Sequence, residues 1–169
     1  MSLDSLDHNL INDVPNPLDA VEEVLSIYQF DYRRLDSDEL ILSVAGQYTS
    51  YRLFLTWQHE FQALQINCLF PADLKLPPED TLACLFMTAN RGIWLGHFEL
   101  TDDQQLQFRY TAVLIGQNAA NSIEHLNDLF KLAVAECDRF YPALRLVTTD
   151  PGTPANILAF ALQDTAGEG

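Results

Sequence analysis

The chain has 169 residues and a formal net charge of −15, from 9 Lys and Arg against 24 Asp and Glu. Such a surface repels nucleic acid and anionic membranes at long range, and its longest basic run, Arg33-Arg34, offers no local exception. Apolar residues make up 48% of it, with ten Phe and six Tyr, which excludes a disordered chain and allows one domain burying roughly 70% of its unfolded surface.

Residues 1–15 read as a flexible N-terminal tail and 16–169 as a single α+β domain. Asn16-Pro17 is an N-cap followed by proline at the first helical position, and Asp19, Glu22 and Glu23 favour the positive end of that helix. Leu18, Val21, Val24, Leu25 and Tyr28 then recur at helical spacing, predicting a helix to about Tyr28. From Phe30 the period falls to two. Phe30, Tyr32 and Leu35 predict a short strand that ends at the Asp36-Ser37-Asp38 turn. Three more strands follow, on Leu40/Leu42/Val44, on Tyr51/Leu53/Leu55/Trp57 and on Leu64/Ile66/Cys68/Phe70. Their connections are too short for parallel crossovers, so the run is an antiparallel meander.

Pro77-Pro78-Glu79-Asp80 opens a second helix with Leu82, Leu85, Phe86 and Ala89 inward, and Asn90-Arg91-Gly92 is its expected stop. Strands around 93–100 and 106–115 form a hairpin across Thr101-Asp102-Asp103-Gln104. Asn121 with Glu124 has the spacing of a capping box. After it, Ile123, Leu126, Phe130, Ala133, Cys137, Phe140 and Tyr141 predict a long third helix that Pro142 bends or ends. Thr153-Pro154 opens a last short helix through Ile157, Leu158 and Phe160 to about Thr165. The expected order is α-β-β-β-β-α-β-β-α-α: an antiparallel sheet of five to six strands with helices on one face.

The sequence carries no pattern of reactive groups. His8, His59, His97 and His125 fall on separate elements without metal-ligand spacing, so no metal site is expected. None of the seven glycines forms a phosphate-binding loop or a nucleophile elbow. Asp36 with Asp38, and Asp102 with Asp103, sit in solvated turns rather than in the buried settings that shift a carboxyl pKa for acid–base work. Cys68, Cys84 and Cys137 form no CxxC pair and lie among apolar neighbours, as packed thiols of a reducing cytoplasm do. No catalytic residue, cofactor or metal is therefore assigned. Phe54, Trp94, His97 and Phe98 are the candidate partner-binding surface, because the aromatic ones fall outside the faces that the helices need.

Four segments carry a family resemblance: Trp57–Cys68 (WQHEFQALQINC), Asn90–Leu100 (NRGIWLGHFEL), Asp138–Leu144 (DRFYPAL) and Gln163–Glu168 (QDTAGE). In matching order over about residues 17–168, they resemble the YbjN family, known as putative bacterial sensory transduction regulators. The resemblance implies a fold like that of the CesT-type secretion chaperones, an antiparallel sheet with helices packed on it, and brings no catalytic residues. Asn90, Trp94, Gly96 and His97 match its central motif. Each has a structural reading: a helix cap, a packed indole, a helix–strand approach and a local hydrogen bond. Because chaperones of that fold dimerise and hold extended peptides, the resemblance implies a non-enzymatic, protein-binding regulator and a homodimer, while the net charge speaks against nucleic-acid or membrane partners. The alternative is a small-ligand sensor with a metabolite between sheet and helix.

Overall fold

The computed structural model describes residues 15–114 and 119–150, and the side chains of 119–125 are outside the described set. The tail at 1–14, the capping-box residues Asn121 and Glu124, and the short helix expected after Thr153 fall outside what is described. The elements are α1 (Pro17–Ile27), β1 (Tyr32–Arg34), β2 (Glu39–Ala45), β3 (Ser50–Gln58), a 3-10 turn (His59–Phe61), β4 (Ala63–Leu69), α2 (Glu79–Gly92), β5 (His97–Leu100), β6 (Leu106–Val113) and α3 (Ala119–Thr149). All strand pairs are antiparallel, in a six-stranded sheet of order β1-β2-β3-β4-β6-β5. The expected α+β order is observed through α3.

The register explains which side chains face the helices. Leu42 pairs with Leu53, Leu53 with Cys68 and Cys68 with Phe108, which pairs with Phe98. All five are buried and, with Tyr51, Leu55, Ile66 and Phe70, make the sheet side of the core. The helices supply Leu18, Val21 and Leu25 from α1, Leu82 and Leu85 from α2, and Ala133, Cys137, Phe140 and Leu144 from α3. Each large apolar side chain so buried contributes roughly 1.5–3 kcal/mol. An aromatic knot closes one end: Phe98 stacks on Phe140 at 4.0 Å between centroids, and Phe70 packs edge-on to Tyr51 at 5.2 Å.

Asn16 caps α1 as its sequence position predicts, its Oδ1 accepting from the Leu18 N–H at 3.0 Å. Its Nδ2 also donates to the Ser37 carbonyl at 2.7 Å and to Asp38 at 3.0 Å, so the cap ties α1 to the β1–β2 turn. Helix α2 ends at Gly92, within the Asn90-Arg91-Gly92 segment expected to stop it, but Asn90 does not cap it: the Asn90 Oδ1 accepts from the Phe98 N–H at 2.7 Å and its Nδ2 donates to the Phe98 carbonyl at 3.0 Å. The side chain thus acts as one rung of a ladder and holds β5 against α2. Helix α3 runs past Pro142 to Thr149. Proline inside a helix costs ~3 kcal/mol. Complete burial of Ala143, Leu144 and Val147 just beyond it offsets that cost. The first strand is also shorter than expected, since Phe30 and Leu35 lie outside it and are 49% and 40% exposed.

Candidate functional site

The four expected surface residues do not form one patch. Phe54 stands half-buried on the face of β3 turned away from the helices. His97 is on that same face, at the β5 edge. Trp94 lies in the α2–β5 connection and is 98% exposed, so the reading of it as a packed indole is replaced by that of an indole in water. Phe98 has to be withdrawn from the surface set: it is 2% exposed, with its ring stacked on Phe140 and tilted against Phe108. Adjacent residues of a strand point to opposite faces, so His97 and Phe98 were never able to share one.

The open sheet face has an orderly composition. One row crosses all six strands in the order Arg33, Ile41, Phe54, Asn67, Arg109, His97. The next row runs Ser43, Arg52, Leu69, Gln107, Glu99. At the β5–β6 end, Arg109 Nε donates to Glu99 Oε1 at 3.0 Å, and the Gln107 amide donates to the same oxygen at 2.8 Å. His97 Nε2 lies 3.1 Å from Glu99 Oε2 and 3.2 Å from Arg109 Nη2. That nitrogen donates to the carboxylate or accepts from the guanidinium according to its tautomer, and either is the local hydrogen bonding expected for His97. Being partly exposed, this cluster contributes at most about 1 kcal/mol per pair.

Gly96, just before β5, is required for a different reason from the one expected. Its φ is +80°, and a Cβ there would stand 2.6 Å from both the Arg109 carbonyl and the Phe108 ring. The close approach is to β6 rather than to a helix, and no side chain fits.

A concave feature lies on the helical side. A groove of about 690 Å³ runs between α1 and α3 over β2 and β3, lined by Val21, Tyr28, Leu42, Val44, Phe130 and Val134 among others, with Lys131 and Asp138 on its border. The Asp138 carboxylate closes one end. Its Oδ1 accepts from the buried Tyr51 hydroxyl at 2.8 Å and its Oδ2 from the Gln47 N–H at 2.8 Å. Burial, and then the Asp138 acceptor, push the Tyr51 hydroxyl far above its ordinary value, so it stays a neutral donor. Burial likewise raises the Cys137 thiol well above the usual range, and Cys68 beside it adds to the effect. A thiol in that setting is a packing group and not a nucleophile.

At the opposite end of the sheet Asp38 gathers three elements. It accepts from Asn16 and from the Ser37 hydroxyl, and sits 2.8 Å from His59 Nε2, while the Trp57 indole N–H donates to His59 Nδ1 at 3.1 Å. Burial acts to raise the Asp38 pKa, but Ser37, His59 and Arg34 outweigh it and hold the carboxyl below the usual aspartate range. Neither the Asp138 nor the Asp38 cluster presents a general base next to a nucleophile. Among the described residues no group of three or more His, Cys, Asp or Glu is placed to hold a metal ion. No helix among them is long and apolar enough to cross a membrane.

Sequence reasoning placed a candidate ligand between sheet and helix without naming its walls, and it missed the arginines of the open face. The alternation in β2 and β3 carried the latter, as the polar set between the apolar residues, but their meeting across strands is known only from the register.

No curated protein and no solved structure matches the chain. The profile of one family matches residues 17–146, from the first turn of α1 almost to the end of α3. With well over half of its length so covered, the chain belongs to the YbjN family, described as putative bacterial sensory transduction regulators.

Proposed function

We propose that this chain is a non-enzymatic regulator that works by binding another protein through its outer surface, as a chaperone-like module does. The observation that carries the reading is Trp94, 98% exposed, with Met87 at 66% and Leu95 at 46% on the same α2–β5 segment. An indole offers about 200 Å² of mostly apolar surface, so leaving it in water forfeits several kcal/mol at ~25 cal/mol/Å². Tryptophan is also among the residues that most often anchor protein interfaces. The family description as a regulator fits an activity of contact.

The test is copurification of the tagged full chain from a bacterial cytosol, with Trp94→Ala in parallel and native mass spectrometry of both. Stoichiometric protein or a second copy held by the parent and released by Trp94→Ala supports the reading. A strictly monomeric parent that retains nothing overturns it.

A second reading, a sensor of a small apolar metabolite, is favoured by the groove between α1 and α3. Its volume suits a small ligand and its walls are largely aliphatic and aromatic. A thermal-shift screen of metabolites separates the two. A Tm rise that is lost in Val134→Asp supports the sensor, and the absence of any rise counts against it.

A further inference from the structure

The open face of the sheet lacks the acidity of the molecule that carries it. In a chain of net charge −15, this face sets Arg33, Arg52 and Arg109 against Asp31, Glu39 and Glu99, and Glu99 is already engaged by Arg109. Arg33 and Arg52 are exposed and make no ion pair or side-chain hydrogen bond among the described residues. By contrast Arg34, the next residue, points to the helical side and is paired with Asp19 and Glu22. Two guanidinium groups without an ion-pair partner in so acidic a protein are the places where an anion is drawn to it, even with Asp31 on the same face.

Other groups on the face agree in kind. Asn67 is 7% exposed and its Oδ1 accepts from Gln65 Nε2 at 3.1 Å, while its own Nδ2 finds no acceptor among the described residues. It stands directly across from Phe54 in the register, and Phe54 across from Ile41. The surface is thus an apolar floor of Ile41 and Phe54 set among donors that lack acceptors.

Spacing selects the ligand. Arg33 and Arg52 are two strands apart and offset by two residues, which puts their Cα atoms roughly 12 Å from each other. In an extended peptide, residues i and i+4 are about 13 Å apart and face the same way, with i+2 between them. A polyphosphate chain meets the full long-range repulsion of the molecule, whereas a short segment with two carboxylates carries less charge and meets less of it. We infer that the open sheet face is a docking site for an extended segment of a partner protein with carboxylates at i and i+4, for Arg33 and Arg52, and an apolar side chain at i+2 over Ile41 and Phe54. This inference rests on the protein-binding reading and names the chemistry of the partner.

The test uses the full chain and a fluorescein-labelled, Thr-rich peptide with two Glu four residues apart and Leu midway, followed by anisotropy. Arg33→Glu combined with Arg52→Glu is expected to weaken binding by at least about tenfold. Replacing both peptide Glu by Gln weakens binding to the parent as much and changes nothing further in the double variant. Since both arginines are exposed and unpaired, the urea midpoint of the variant stays at the parent value; the neutral pair Arg33→Gln and Arg52→Gln repeats the measurement should the reversal disturb folding. Equal affinity of parent and variant, no binding of the peptide, or equally tight binding of a single-stranded oligouridylate of the same length each overturn the inference. Copurification separates this failure from that of the broader reading. A partner retained equally by parent and double variant overturns the open-face site alone, and a parent that retains nothing overturns protein binding itself.

Discussion

Asp138 ties the β2–β3 turn to the middle of α3, and removing its carboxylate isolates the contribution of that tie. In Asp138→Ala the Tyr51 hydroxyl, on a side chain with no exposure to water, loses its acceptor, and the Gln47 N–H loses its own. A buried donor left unsatisfied costs about 1–3 kcal/mol, and hydrogen bonds to a charged group are worth about 1.5–3. The Gln47 side is exposed and regains water, so its share is small. The expected loss is about 3 kcal/mol, and Tyr51→Phe, which removes the donor instead, loses about 1.5. The double variant is expected to fall short of the sum by about 1.5 kcal/mol, the energy of the shared bond. Urea unfolding at pH 7 reads all three. With m near 2 kcal/mol/M for a domain of this size, Asp138→Ala moves the midpoint down by about 1.5 M. A loss under about 1 kcal/mol for Asp138→Ala, or simple additivity of the two single changes, refutes the argument.

The same bond sets a pH dependence. Because the Tyr51 pKa is raised in the fold, by burial first, its contribution is present in full below the unfolded tyrosine value of about 10 and falls as pH rises above it. Parent stability therefore declines above about pH 10 more steeply than that of Tyr51→Phe, in parallel urea titrations.

Other expectations follow from single contacts. Phe98→Ala empties a site packed against Phe140, Phe108 and Phe70 and is expected to cost about 3–5 kcal/mol by urea unfolding; a loss near zero would return Phe98 to the surface. Gly96→Ala, at φ +80° and against backbone of β6, is expected to lose about 2 kcal/mol or more. For Asp38, whose folded pKa is lowered, the contribution is present above the ordinary aspartate value and lost as pH falls below about 4. Asp38→Asn is expected to flatten that acid limb when unfolding is followed by circular dichroism. Acrylamide quenches Trp94, 98% exposed, and spares Trp57, 3% exposed, which single-tryptophan variants resolve by fluorescence.

Legibility in the sequence followed locality. The cap at Asn16 and the alternation of Tyr51, Leu53, Leu55 and Trp57 are set within a few residues, and both elements stand where the pattern puts them. Asn90 misled because the same amide that can cap a helix can also bond a strand, and the strand lies eight residues further on. Gly96 was recognisable as a close approach, but the identity of the neighbour needs the β5–β6 register. Of the expected surface residues, Trp94 is exposed and Phe54 and His97 share the open face, whereas Phe98 is core. Between adjacent strand residues the sequence distinguishes two faces without saying which is covered.

The periodicities of two and of three to four residues determined the element order and the antiparallel meander, since they arise from backbone geometry and short connections alone. Tertiary packing decided which face the helices cover, how far α3 runs past Pro142, and that Arg33, Arg52, Asn67 and Phe54 meet across strands distant in the chain. Those outcomes depend on contacts between residues far apart in sequence, whose energies exceed the local preferences that a single chain segment expresses.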